Sequence, residues 1–137
     1  LVMDEAFSFV FLMLASTLVE GGKAQAAVAL CEQIPKGGPL DDEVQATLGY
    51  AAARAGNVAR AREIRQQIET RQAAPTLGLA RLYAGLGDEA RLLEVVERAV
   101  TNSLEFATTL KADPVFDSVR THPRFVALLA RVKLQTS

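Results

Sequence analysis

Cysteine and histidine are nearly absent from the chain, which has 137 residues and contains only Cys31 and His122 of these two types. A lone cysteine cannot close a disulfide within the chain, and one histidine is too few for the usual multi-ligand metal sites. The glycines before Lys23 lack the earlier glycine and the following Ser or Thr of a phosphate-binding loop. We therefore predict a non-enzymatic protein without metal or cofactor.

The chain also lacks an excess of charge of one sign, since it has 15 basic and 16 acidic residues. A strongly positive surface of the kind that attracts nucleic acid is not expected. The charge is uneven, because residues 1–53 contain two lysines and seven acidic residues, and the remainder contains 13 basic and nine acidic residues. This asymmetry leaves head-to-tail contact, or an acidic partner near the basic half, as open alternatives.

No apolar run is long enough to cross a membrane. The longest, Ala6–Val19, has 14 residues, whereas a spanning helix needs ~20. Asp4 and Glu5 precede it where a signal peptide would carry basic residues. We predict a buried helix here and no membrane insertion. Because the chain opens at Leu1, we also expect it to be a fragment of a longer protein.

Alanine and leucine dominate what is present, with 23 and 18 copies against five prolines and no tryptophan. These are strong helix formers, and the composition predicts an all-α protein. An internal repeat supports this prediction. A glycine followed five residues later by a small or apolar residue recurs at Gly22, Gly56 and Gly87, at intervals of 34 and 31 residues.

This spacing predicts helical hairpins, in which the first helix ends at a glycine and the second begins two or three residues later. The three expected hairpins cover about residues 4–35, 41–71 and 74–101, with Asp41 or Asp42 capping the second and Pro75 opening the third. A capping segment over 103–134 follows, with a short helix from Ser103 and prolines at two helix starts, Pro114 and Pro123. We expect one domain over residues 1–137.

The same residues resemble the tetratricopeptide repeat (TPR) family. The resemblance is carried by Leu48, Gly49, Gly56, Ala61, Tyr83, Gly87 and Ala99, and by the strings 79–88, 113–120 and 122–125. These strings are similar to the C-terminal TPR modules of bacterial multidomain signalling proteins, which follow kinase, nucleotide cyclase or winged-helix domains. The resemblance covers residues 42–134 and, more weakly, 4–35.

The resemblance implies a right-handed superhelix of antiparallel hairpins, an α-solenoid, closed by a C-terminal pair of capping helices. It further implies a cytoplasmic scaffold that binds a peptide or partner domain in the concave groove formed by the first helices. Groove positions of the family fall here on Ser16, Glu20, Glu43, Tyr50, Arg54, Leu77 and Arg81. Tyr50, Arg54 and Arg81 would clamp a carboxylate or an acidic peptide. Packing of Tyr50 against a neighbouring hairpin is the alternative.

The first helix suggests a second function, because it has no polar face for about two turns. If the second hairpin covers one side, the other side needs a further repeat, a partner helix or a second copy of the chain. Phe7, Phe9 and Phe11 are the residues expected to join two chains in a homodimer. A small-molecule sensor or enzyme in the superhelix hollow is a third and less favoured hypothesis, since no cluster of titratable residues supports it.

Overall fold

The computed structural model describes residues 5–37, 40–71, 76–102, 110 and 113–136, and every element in these ranges is helical, as predicted. The elements are α1 (Glu5–Glu20), α2 (Ala24–Glu32), α3 (Asp41–Arg54), α4 (Val58–Thr70), α5 (Leu77–Leu86), α6 (Glu89–Asn102), a 3₁₀ helix η1 (Pro114–Val119) and α7 (Pro123–Thr136). The three helix pairs cover residues 5–32, 41–70 and 77–102, so each end lies within three residues of the expected hairpin. The predicted helix start at Pro75 lies outside the described residues. Nearly all of the short helix predicted from Ser103 lies outside them as well.

Local capping explains where several helices begin. The side chains of Asn57, Thr76 and Asp88 each accept a hydrogen bond from a backbone N–H of the first turn of α4, α5 and α6. The repeat glycines before α2, α4 and α6 take left-handed φ angles of 79°, 93° and 74° at Gly22, Gly56 and Gly87. Such an angle is strained for a residue with a side chain, which explains the recurring glycine.

The expected caps of α3 are not caps. Its N-cap is Leu40, which makes no side-chain hydrogen bond, and Asp41, Asp42 and Glu43 all lie inside the first turn. Negative side chains are favourable there because the free N–H groups give the start of a helix a partial positive charge. Arg71, just after α4, pairs with Asp42 at 3.0 Å and with Asp41 at 3.8 Å. These ion pairs join the start of α3 to the end of α4.

Consecutive helices pack as pairs, α1 with α2, α3 with α4 and α5 with α6, and α3 also contacts both α1 and α5. Short connections of two or three residues reverse the chain within each pair. Close approach at the centre depends on Gly49 of α3. A Cβ atom at this glycine would lie 2.7 Å from Leu82 Cδ1 and 3.2 Å from Ile64 Cγ2.

The main hydrophobic core runs from α1 through α6 and into the C-terminal elements. Phe116 of η1 and Phe125 of α7 are fully buried, and their rings stack at a centroid distance of 6.0 Å. Contacts between α5 and η1, and between α6 and α7, join these elements to the third helix pair. The predicted pair of capping helices is therefore a 3₁₀ helix and an α-helix in the described part of the segment.

In the part of the chain that the structure describes, one side of α1 packs against other helices. Phe7, Phe9, Val10, Met13 and Leu14 are exposed. At 100° per residue they occupy one continuous face, of which Phe9 and Met13 line a cavity together with residues of α3 and α5, and Val10 and Leu14 do not. Phe11 departs from the prediction, because it is partly buried against a small cluster of Leu12, Ile34 and Val44. Its side chain belongs to the packed side of the helix and is a poor candidate for joining two chains.

Among the helices in the described ranges, none has both the length and the apolar character that crossing a membrane requires.

Candidate binding groove

The first helices of the three pairs enclose a cavity of about 490 Å³, which we call the groove. Its lining residues come from α1, α3 and α5 and from the residue before α3: Phe9, Leu12, Met13, Ser16, Thr17, Glu20, Leu40, Glu43, Thr47, Leu77 and Arg81. Five of the seven predicted groove residues are in this set, namely Ser16, Glu20, Glu43, Leu77 and Arg81. A volume of this size is in the range of pockets that hold ligands.

Arg81 of α5 lines the groove and contacts two other parts of the chain, Ser16 of α1 and Asp113 just before η1. Its Nη2 pairs with Asp113 Oδ2 at 2.8 Å, and its Nη1 donates a hydrogen bond to Ser16 Oγ at 3.0 Å. The Arg81 and Asp113 side chains are only 17% and 6% exposed. The predicted role of Arg81 as an anchor for an acidic ligand therefore needs correction, because a carboxylate of the chain itself already neutralises this guanidinium.

Glu43 brings an unpaired carboxylate to the groove. Its Oε1 is shielded from solvent and accepts no hydrogen bond. Both oxygens lie against Gly78 in the first turn of α5, where a Cβ atom would be 2.8 Å from Oε1 and 2.9 Å from Oε2. The glycine thus makes room for the carboxylate, and the start of α5 provides a favourable field for its charge.

Tyr50 and Arg54 line a neighbouring cavity of about 360 Å³ against α5 and η1. Glu20 borders both cavities. Tyr50 is buried, and this burial raises the pKa of its phenol, with Arg54 and Arg81 acting in the opposite direction. Tyr50 packs against α5, where a Cβ atom on Gly85 would lie 3.1 Å from Tyr50 Cδ1. Arg54 lines this cavity and Arg81 lines the groove, and the clamp of Tyr50, Arg54 and Arg81 stays a prediction.

The sequence did not identify Phe9, Met13 or Thr47 as groove residues, or Asp113 as the partner of Arg81. Asp113 precedes Pro114 at one of the predicted helix starts, and its Oδ1 accepts a hydrogen bond from the Val115 backbone N–H. Its Oδ2 pairs with Arg81, which lies 32 residues away in the sequence. The residues around Asp113 give no indication of this contact. Phe9 and Met13 were visible as part of an apolar helix, but the side on which they lie depends on how α1 packs.

A third cavity, of about 550 Å³, lies on the opposite side of α5, between α4 and α6. Glu69 makes two polar contacts in this cavity. Its carboxylate accepts a hydrogen bond from the Tyr83 hydroxyl at 2.9 Å and pairs with Arg91. Burial and this bond to Glu69 raise the pKa of Tyr83 to about 12. These polar groups serve each other and connect α4 to the third helix pair, so we assign this cavity a structural role.

The thiol of Cys31 is buried in the core, with 2% of the residue exposed. Burial, together with the nearby Glu32 carboxylate, raises its pKa from 9.0 to about 11. At pH 8 the thiolate fraction is then ~100-fold lower than in the unfolded chain, because each pKa unit is a factor of ten. We expect iodoacetamide to alkylate Cys31 at least ~100-fold more slowly in the native protein than in urea, measured by mass spectrometry. Equal rates would contradict a packed thiol.

Within the described ranges, no three Asp, Glu, His or Cys side chains come together as metal ligands would. Asp117 pairs with Arg120, and His122 Nδ1 accepts a hydrogen bond from the Arg124 backbone N–H, so both side chains have local structural partners. The described geometry is that of a partly apolar groove bordered by carboxylates. No protein-family model, curated protein or solved structure matches the chain.

Proposed function

We propose that the chain is a TPR-like, non-catalytic interaction module that binds a peptide or a partner domain in the groove between α1, α3 and α5. The observation that carries the proposal is the groove itself, which is bordered by five residues that the TPR resemblance places in a groove and by exposed Phe9 and Met13. Exposed apolar side chains beside a concave surface are typical of interaction sites. The stacking of α3 on both α1 and α5 is what a solenoid of helical hairpins requires.

Selection of phage-displayed random dodecapeptides on the protein, followed by fluorescence titration of the enriched peptide, tests this proposal. Phe9→Ser with Met13→Ser removes apolar surface from the groove, and we expect it to weaken binding roughly tenfold or more. Both side chains are more than half exposed, at 56% and 58%, so folding is expected to be preserved.

The matched control is Val10→Ser with Leu14→Ser, which removes exposed apolar surface from the same helix outside the groove. This variant is expected to bind the peptide as the wild type does. Failure to enrich any peptide, or equal losses in the two variants, would contradict binding in the groove.

Self-association is the second candidate, and the face of α1 outside the groove favours it. Val10 and Leu14 stay exposed there beside Phe7. A chain that uses this face to form a homodimer would bring domains attached to it together. Light scattering over a hundredfold dilution measures this: we expect a dimer that dissociates, with Val10→Ser and Leu14→Ser shifting the equilibrium to monomer at least ~10-fold. A monomer at all concentrations would exclude self-association.

A further inference from the structure

The charges that border the groove do not cancel. Among the lining residues that the structure describes, Arg81 is the only basic one, and it is paired with Asp113. Glu20 and Glu43 also line the groove, and neither forms an ion pair with a residue in the described ranges. Arg54, the nearest basic residue in the adjoining cavity, does not line the groove. Among the described residues, Glu43 is thus a groove carboxylate without an ionic partner, whereas Glu20 also borders the cavity that Arg54 lines.

Apolar surface lies directly beside these carboxylates. Phe9 and Met13 are exposed at the groove, and Leu40 and Leu77 line its opposite side. A ligand that fits must bury apolar atoms and bring a positive charge to the same place. Glu43 strengthens this requirement, because a poorly hydrated carboxylate with a free acceptor oxygen costs stability until a donor reaches it.

We infer that the occupant of the groove is a polypeptide segment in which lysine or arginine is flanked by apolar side chains. This inference rests on the proposed function and specifies its partner by charge complementarity. It reverses the acidic ligand expected from the sequence, because the chain's own Asp113 takes the place that an acidic ligand would occupy on Arg81. The apolar side chains enter beside Phe9 and Met13, and the cation pairs with the Glu43 carboxylate.

Three blocked tripeptides test the inference: lysine between two leucines, and the same peptide with glutamine or glutamate in place of the lysine. Chemical-shift titrations of the isotope-labelled protein follow each one. We expect the lysine peptide to perturb groove signals such as those of Thr47 and Leu77, and to bind roughly fivefold or more tightly than the glutamine peptide. The glutamate peptide should bind most weakly.

Glu43→Gln is expected to remove most of the preference for lysine, because the amide keeps the shape of the side chain without its charge. Gly78→Ala is a second test of the Glu43 carboxylate. The added Cβ displaces the tip of the Glu43 side chain, and alanine is a better helix former than glycine in α5. Glu63→Gln, an exposed carboxylate of α4 outside the groove, is the matched control and should keep the preference.

The outcomes separate the inference from the proposed function. Equal binding of the three peptides at the groove would overturn the preference for a cation and leave groove recognition intact. A preference for lysine that survives Glu43→Gln would overturn the assigned carboxylate. If no tripeptide perturbs the groove, the inference fails, and the dodecapeptide selection still decides whether the groove binds a peptide.

Discussion

Phe116→Ala is expected to lower the free energy of unfolding by about 3–5 kcal/mol, the usual cost of emptying a phenylalanine site in a closed core. The ring is fully buried and stacks on Phe125, so its removal leaves a cavity between η1 and α7. Urea denaturation followed by circular dichroism measures the change.

Val126→Ala is the control for this experiment. Val126 lies beside Phe125 on α7 but is exposed, and its truncation should change the stability by about 0.5 kcal/mol or less. A loss below about 1 kcal/mol for Phe116→Ala would show that η1 and α7 unfold separately from the three helix pairs. A large loss with a single transition would place them in the same cooperative unit.

Arg81→Met is expected to cost about 3 kcal/mol, because it leaves the Asp113 carboxylate buried without its counter-charge. Asp113→Asn should cost less, since the amide keeps an oxygen for the Val115 N–H and leaves Arg81 with its bond to Ser16. Unfolding free energies of the wild type, the two single variants and the double variant form a double-mutant cycle, which measures the interaction energy of Arg81 and Asp113.

The double variant is expected to be clearly less destabilised than the sum of the two single changes, because neither charge then remains buried alone. Additive losses would show that Arg81 and Asp113 do not interact. Arg71→Met is a useful comparison, since Arg71 pairs with Asp42 at the surface and such pairs contribute about 1 kcal/mol or less.

Most of the helices were predictable because their signals are local. Asn57 and Asp88 cap helices by bonds to residues three positions away, and Gly56 and Gly87 have the backbone angles that their turns require. The TPR resemblance also indicated five lining residues of the groove, Ser16, Glu20, Glu43, Leu77 and Arg81.

The chemistry of the groove was not predictable in the same way. Arg81 was interpreted as a free cation because Asp113 is distant in the sequence, and Asp41 was interpreted as a cap although it lies inside α3. Phe11 was grouped with Phe7 and Phe9, but it turns toward the small cluster under α1. Each of these errors concerns which distant residue a side chain meets. The TPR assignment, the cytoplasmic location and the partner stay predictions.

The contacts of Arg81 also affect the order in which the chain folds. Its bonds to Ser16 and Asp113 join residues 65 and 32 positions apart, whereas each helix pair is built from neighbours in the sequence. Local pairs form early, and contacts that close long loops form late. We therefore expect the contacts of Arg81 with Ser16 and Asp113 to form after the helix pairs have formed. In stopped-flow experiments the loss of Arg81 should speed unfolding and leave the folding rate nearly unchanged.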